Sequence, residues 1–127
     1  MNREIKFRGK RIEDGEWVYG YYHRDSTGDG FVCYYITTDD MYVHEVDPET
    51  VGQYTGLKDK NGVEIYEGDV RRNSRGKIYV VKYDLDSASY IGEYINGFDW
   101  LSDLVDSECI GNIYEHPHLI GGESDGN

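Results

Sequence analysis

Apolar and polar residues alternate with a period of two along most of this chain, the spacing of strands that present one face to a core. Ile5 and Phe7 alternate with Lys6 and Arg8, which predicts a half-buried first strand with a basic outer face of the kind that protects a sheet edge. A turn at Asp14-Gly15 leads to a second strand, Glu16 to Tyr22, whose Trp17, Tyr19 and Tyr21 fall on one face and are expected in the core. Beyond the polar loop Arg24 to Gly30, the run Phe31 to Thr37 reads as a central strand buried on both sides. Thr38-Asp39-Asp40 turns the chain into Met41 to Val46, which Asp47-Pro48 ends because proline lacks a ladder donor. A short segment around Val51 to Tyr54 follows.

After Gly68-Asp69 the pattern predicts a short strand Val70 to Arg72, a turn through Asn73 to Gly76, and the strongest strand, Lys77 to Tyr83, with Tyr79, Val81 and Tyr83 inward. Ala88 to Ile95 is extended and Asn96-Gly97 turns the chain. Phe98 to Val105 fits either a strand or two turns of helix, the latter placing Phe98, Leu101 and Val105 together. A final strand runs from Cys109 to Tyr114. The sum is a mostly-β protein, a small, partly open β-barrel or rolled antiparallel sheet with at most one short helix.

Between the fifth and sixth of these segments, Asp59-Lys60-Asn61-Gly62 allows two hairpins, and cross-strand chemistry chooses between them. A two-residue Asn61-Gly62 turn would set Asp59 against Glu64, carboxylate facing carboxylate. A three-residue loop with Gly62 in the left-handed bulge position sets Lys58 against Glu64 and Leu57 against Ile65. Each complementary pair contributes roughly 0.2–1 kcal/mol, so the three-residue loop is predicted.

The composition fits this reading. Thirteen tyrosines, sixteen glycines and two prolines in 127 residues favour short strands and tight turns. The length suits one domain, taken as residues 1–120, followed by a glycine-rich acidic tail, 121–127, expected to be disordered. The longest apolar run, Phe31 to Ile36, falls far short of the roughly 20 residues of a membrane span, and no secretory signal opens the chain, so a cytoplasmic protein without a membrane partner is expected. Cys33 and Cys109 are isolated and support neither a disulfide framework nor a thiolate metal site.

Charge sharpens the picture of possible partners. A formal net charge of −12 argues against nucleic acid binding over the whole surface. Seven of the thirteen cations make two candidate basic patches, one at Lys6, Arg8, Lys10 and Arg11 and one at Arg71, Arg72 and Arg75.

Several stretches resemble one family closely: Val51-Gly52-Gln53-Tyr54-Thr55-Gly56-Leu57-Lys58-Asp59-Lys60-Asn61-Gly62, then Glu64-Ile65-Tyr66-Glu67-Gly68-Asp69, and the closing Ile110-Gly111-Asn112-Ile113-Tyr114-Glu115. With the opening Arg3-Glu4-Ile5-Lys6-Phe7-Arg8, they resemble the YopX family of phage and prophage proteins over nearly the whole chain. His116-Pro117 stands where many relatives have Asn-Pro. The resemblance implies a small β-rich phage-encoded protein, at work in a bacterial host cell, and brings no catalytic residues with it. The hairpin stretch itself, with Gln53, Tyr54, Lys58, Asp59, Lys60, Gly62, Tyr66, Glu67, Gly68 and Asp69, is the candidate contact or structural motif.

Candidate chemistry is sparse. The acid pairs at Asp39-Asp40 and Asp84-Leu85-Asp86 have no accompanying nucleophile or base; His116 and His118 lack a third metal ligand; Gly28-Asp29-Gly30 lacks the lysine of a phosphate-binding loop. Asp59-Lys60-Asn61-Gly62 has its glycine at the wrong position for a calcium loop. No catalytic residue, metal or cofactor is therefore expected. The surplus of tyrosine points to self-association or a host or phage protein partner, since tyrosine is favoured at interfaces. The reading that results is a non-enzymatic, macromolecule-binding homo-oligomer. Its alternatives are an acidic inhibitor that imitates nucleic acid and a metal-dependent enzyme, the latter opposed by the absence of a ligand cluster.

Overall fold

The computed structural model describes residues 4–118, so the predicted tail at 121–127 lies outside the described residues. The chain divides into two compact units, Met1–Tyr54 and Thr55–Asn127. The strands pair antiparallel, among the described residues no sheet closes into a barrel, and the named helical elements are two short 3-10 turns, so the predicted rolled antiparallel sheet is the form found. No helix is long and apolar enough to cross a membrane.

In the first unit, β1 (Phe7–Lys10), β2 (Trp17–Ser26), β3 (Val32–Thr37), β4 (Val43–Glu45) and the start of β5 (Gly52–Lys58) form a sheet in the order β4-β3-β2-β1-β5. β1 is thus an interior strand, paired on one side through Phe7↔Gly20 and on the other through Phe7↔Gln53, and its basic residues do not guard an edge. The inward face of the unit carries Phe7, Tyr22, Tyr34 and the fully buried Ile36 and Val46, with Tyr22 between the other two rings at 5.7 and 6.2 Å. β3 is interior to the sheet, but of its residues only Ile36 is fully buried and Phe31 and Val32 are exposed at its start, against the expectation of burial on both sides. Asp47 caps the 3-10 turn Pro48–Thr50 by accepting the Glu49 N–H, and proline begins the turn.

β5 runs on into the second unit and pairs there with β6 (Glu64–Tyr66). The remaining strands, β7 (Asp69–Arg72), β8 (Ile78–Asp84), β9 (Ser89–Tyr94), β10 (Gly97–Trp100) and β11 (Glu108–Asn112), form a sheet in the order β10-β9-β8-β7-β11. Ile65, Tyr79, Val81, Leu101 and Leu104 make its core, flanked by Leu57, Tyr90, Tyr94 and Val105. Tyr83, predicted inward with Tyr79 and Val81, is exposed near the end of β8, where it packs edge-on to Tyr90. The ambiguous Phe98 to Val105 segment is both things in turn, strand β10 and then a 3-10 turn Leu101–Asp103 that drives Leu101 and Leu104 into the core.

Four connections share one design. In each, the first residue donates its N–H to the C=O four positions on, and the fourth residue, in left-handed conformation, donates back to the first: Thr27 with Gly30 and Phe31, Thr38 with Met41 and Tyr42, Asp59 with Gly62 and Val63, Asn73 with Gly76 and Lys77. This is the three-residue loop predicted at Asp59, and it sets Lys58 opposite Glu64 and Leu57 opposite Ile65. Glycine fills the left-handed position in three loops; Met41, at φ 72°, fills the fourth.

Candidate functional site

In the candidate contact or structural motif around the β5–β6 hairpin, several side chains bond to other parts of the protein. Asp59 Oδ1 accepts the backbone N–H of Asn61 at 2.8 Å and of Val63 at 3.0 Å, an arrangement that folds the loop locally. Asp59 Oδ2 accepts from Arg71 Nη2 at 2.8 Å, with the two side chains 3% and 1% exposed. Arg71 also donates from Nε to Ser107 Oγ at 2.8 Å and from Nη2 to the Ser107 carbonyl at 2.6 Å, while Ser107 Oγ donates to the Leu104 carbonyl.

Arg71 therefore does not belong to a solvated basic patch. It sits on β7 between β8 and β11, opposite Tyr79 and Cys109, and its guanidinium joins three segments of chain. Burial alone would raise the Asp59 carboxyl, but the Arg71 hydrogen bond, the Val63 and Asn61 N–H groups and the Arg71 charge outweigh it and hold the group below the ordinary aspartate range. Ser107 was missed by sequence reasoning, and no local pattern around it marks a partner 36 positions away.

The rest of the motif behaves likewise. Buried Asp69 accepts the Tyr66 N–H on Oδ2 at 2.9 Å, and Tyr66 donates its hydroxyl to Glu64. Gly68, at φ 89°, donates to the Val81 carbonyl and accepts from Ile113, with Glu67 part-buried beside it. Gln53 lies in the β1–β5 pairing and Tyr54 is buried in the first unit. Lys58, Lys60 and Gly62 remain exposed. Lys60 and Asn61 meet Arg72, Asn73, Asp106 and Glu108 around an open hollow of about 230 Å³, where Arg72 pairs with Glu108 at 2.8 Å. Arg75 is exposed on the neighbouring turn.

In the first unit the basic stripe is engaged by rings and acids. Lys6 lies 5.5 Å from the centre of the Tyr54 ring; Arg8, buried, and Lys10 lie 4.8 and 6.0 Å from Trp17. Arg11 pairs with Glu13 and Asp14.

The β2 face expected in the core is the outer one. Gly20 and Tyr22 face inward, whereas Trp17 is half-buried, Tyr19 exposed and Tyr21 71% exposed. The β2–β3–β4 register extends this face to His23, Tyr35 and Val43, with His23 stacked on Tyr35 at 5.5 Å and bonded to Thr37 at 3.0 Å. Tyr21 also borders an open hollow of about 380 Å³ with Ile5, Lys6, Gly20 and Asp39. An open sheet face of this kind offers flat rings with hydroxyls at their rims, suited to packing against another polypeptide. Among the described residues no group of three or more His, Cys, Asp or Glu side chains is placed to hold a metal ion.

Comparison with known proteins bears on the fold and the family. The family model described as YopX protein matches residues 6–121. The fold is similar to the crystal structure of protein EF1440 from Enterococcus faecalis, with a TM-score of 0.57 and 22% identity, covering 94% of this chain and 99% of that one. At that identity the likeness concerns the fold alone. None of the curated proteins matches the chain.

Proposed function

The chain belongs to the YopX family, and from that premise we propose that it is a phage or prophage accessory protein that acts in the bacterial cytoplasm by binding, without chemistry of its own, as a homo-oligomer. The observation that carries this reading is the outward face of β2, where Tyr19 and Tyr21 are exposed in a row beyond the half-buried Trp17. Such a face loses apolar surface to water until a second protein covers it, at roughly 25 cal/mol per Å² of apolar area. Tyrosine is the residue type best suited to that compromise, because its hydroxyl stays bonded when its ring is covered.

The test is the mass of the full chain by multi-angle light scattering. The wild type is expected at a multiple of 14.7 kDa, and Tyr19→Ser combined with Tyr21→Ser at the monomer mass with an unchanged melting curve. A wild type that stays monomeric at low salt and high concentration overturns the reading.

A further inference from the structure

We propose that the free edge of β10 is a strand-addition site for an extended, basic peptide segment of a partner protein. The inference rests on the reading of the chain as a binding protein but not on self-association, and it concerns the second unit alone.

The backbone comes first. β9 and β10 are joined by a two-residue turn, Ile95-Asn96, so Tyr94 and Gly97 form the hydrogen-bonded closing pair and Asp99↔Gly92 the next. Phe98 and Trp100 fall at the alternate positions, opposite Glu93 and Ile91, and direct their backbone groups away from β9. Among the described residues β10 ends its sheet, so Phe98 presents an N–H and a C=O at the edge and Trp100 an N–H, its carbonyl being the cap of the following 3-10 turn. Exposed edges are guarded by shortness, by charged side chains, above all lysine, by proline or by a bulge. β10 is short and its one charge is the acidic Asp99, which repels another acidic strand but not a basic one, and it has no lysine, proline or bulge, whereas the opposite edge strand, β11, carries a bulge between Cys109 and Gly111 and the Arg72–Glu108 ion pair.

The side chains then say what would pair there. Phe98 and Trp100 lie on one face, 47% and 45% exposed, ring centres 5.6 Å apart and edge to face, a ready contact for an apolar residue on an added strand. Charge selects the rest of the occupant. From Tyr83 to the C-terminal Asn127 the sequence has ten Asp or Glu and no Lys or Arg. Asp99 and Asp103 are exposed, and Glu93, across the ladder, is already paired with Lys82 at 2.5 Å. An added strand with Lys or Arg at alternate positions meets Asp99 and Asp103 with opposite charge. A second copy of β10 does not: the two-fold register that uses both outward-facing residues sets Asp99 against Asp99.

Fluorescence anisotropy of the full chain with a labelled nonapeptide of alternating valine and lysine tests the site, with a valine–glutamate nonapeptide as control. The lysine peptide is expected to bind, more weakly as salt rises, and the glutamate peptide not to bind. Phe98→Pro, which removes an N–H that β9 does not use, should weaken binding at least tenfold, as should Asp99→Lys. Should Phe98→Pro fail to fold, amide exchange on the wild type decides, since bound peptide should slow the Phe98 and Trp100 amides selectively. Equal binding of both peptides, wild-type affinity in Asp99→Lys, or no slowing at those amides overturns the proposal. Peptide binding and oligomer mass are separate readouts, so the failure of this site and the failure of self-association are distinguishable.

Discussion

Asp59 serves two structures at once: Oδ1 folds its own hairpin loop, and Oδ2 neutralises Arg71, a cation buried to 1% exposure. Asp59→Asn keeps the loop acceptor but removes the charge, leaving the guanidinium uncompensated. We expect a loss of about 3–5 kcal/mol by urea denaturation. Adding Arg71→Met should recover a large part of it, since the orphaned charge is then gone. A loss under about 1 kcal/mol in the single variant would show that Arg71 is neutralised elsewhere.

Acid should weaken the same joint. The folded pKa of Asp59 lies below its unfolded value, so its contribution is present above the unfolded pKa, about 3.9, and is lost as pH falls through the folded one. Unfolding free energy measured from neutral pH down to about pH 2 should fall more steeply in the wild type than in Asp59→Asn/Arg71→Met. Parallel curves below about pH 4 would remove Asp59 from the acid response.

Met41 occupies the left-handed position that glycine fills in the three sister loops, and the residue is 78% exposed, so burial does little to offset the strain. The left-handed conformation costs an L-residue about 1–2 kcal/mol, part of which glycine returns through its freer unfolded chain. Met41→Gly should stabilise by about 0.5–1 kcal/mol, seen as a higher denaturation midpoint at unchanged slope.

Gly62→Val tests the converse. At φ 81° with open space around it, Gly62 is constrained by conformation and not by packing, so valine should cost about 1–2 kcal/mol. Lys60→Ala, at the exposed tip of the same loop, should leave the melting curve unchanged. Equal effects of the two would mean that the loop is not set by its left-handed residue.

How much of this was legible beforehand depended on how local the deciding contact is. The Lys58–Glu64 register could be read because its charges and its glycine lie within seven residues of one another. The β2 strand was seen, but its inward side was assigned wrongly: a period of two separates Trp17, Tyr19 and Tyr21 from Val18, Gly20 and Tyr22 without saying which set is buried, and ring size favoured the wrong one. The inward side is set by packing with distant residues, Tyr22 meeting Phe7 of β1 and Tyr34 of β3, which no local window contains. Arg71 was hidden for a similar reason, being one arginine among several near a turn, with a carboxylate 12 positions back and a serine 36 ahead. The family, by contrast, was carried by contiguous residues and was legible from them.

The separations in that last joint also order events in time. The Asp59 loop closes over five residues and can form early, while Arg71 must wait for Ser107 to arrive from the far side of β8 to β10. Closing the longer loop is entropically slower to be rewarded, which places the guanidinium's contacts late on the folding path. Substitutions at Arg71 or Ser107 should then shorten the lifetime of the native state by raising the unfolding rate, with the refolding rate little changed, whereas Gly62→Val, acting on the early hairpin, should slow refolding.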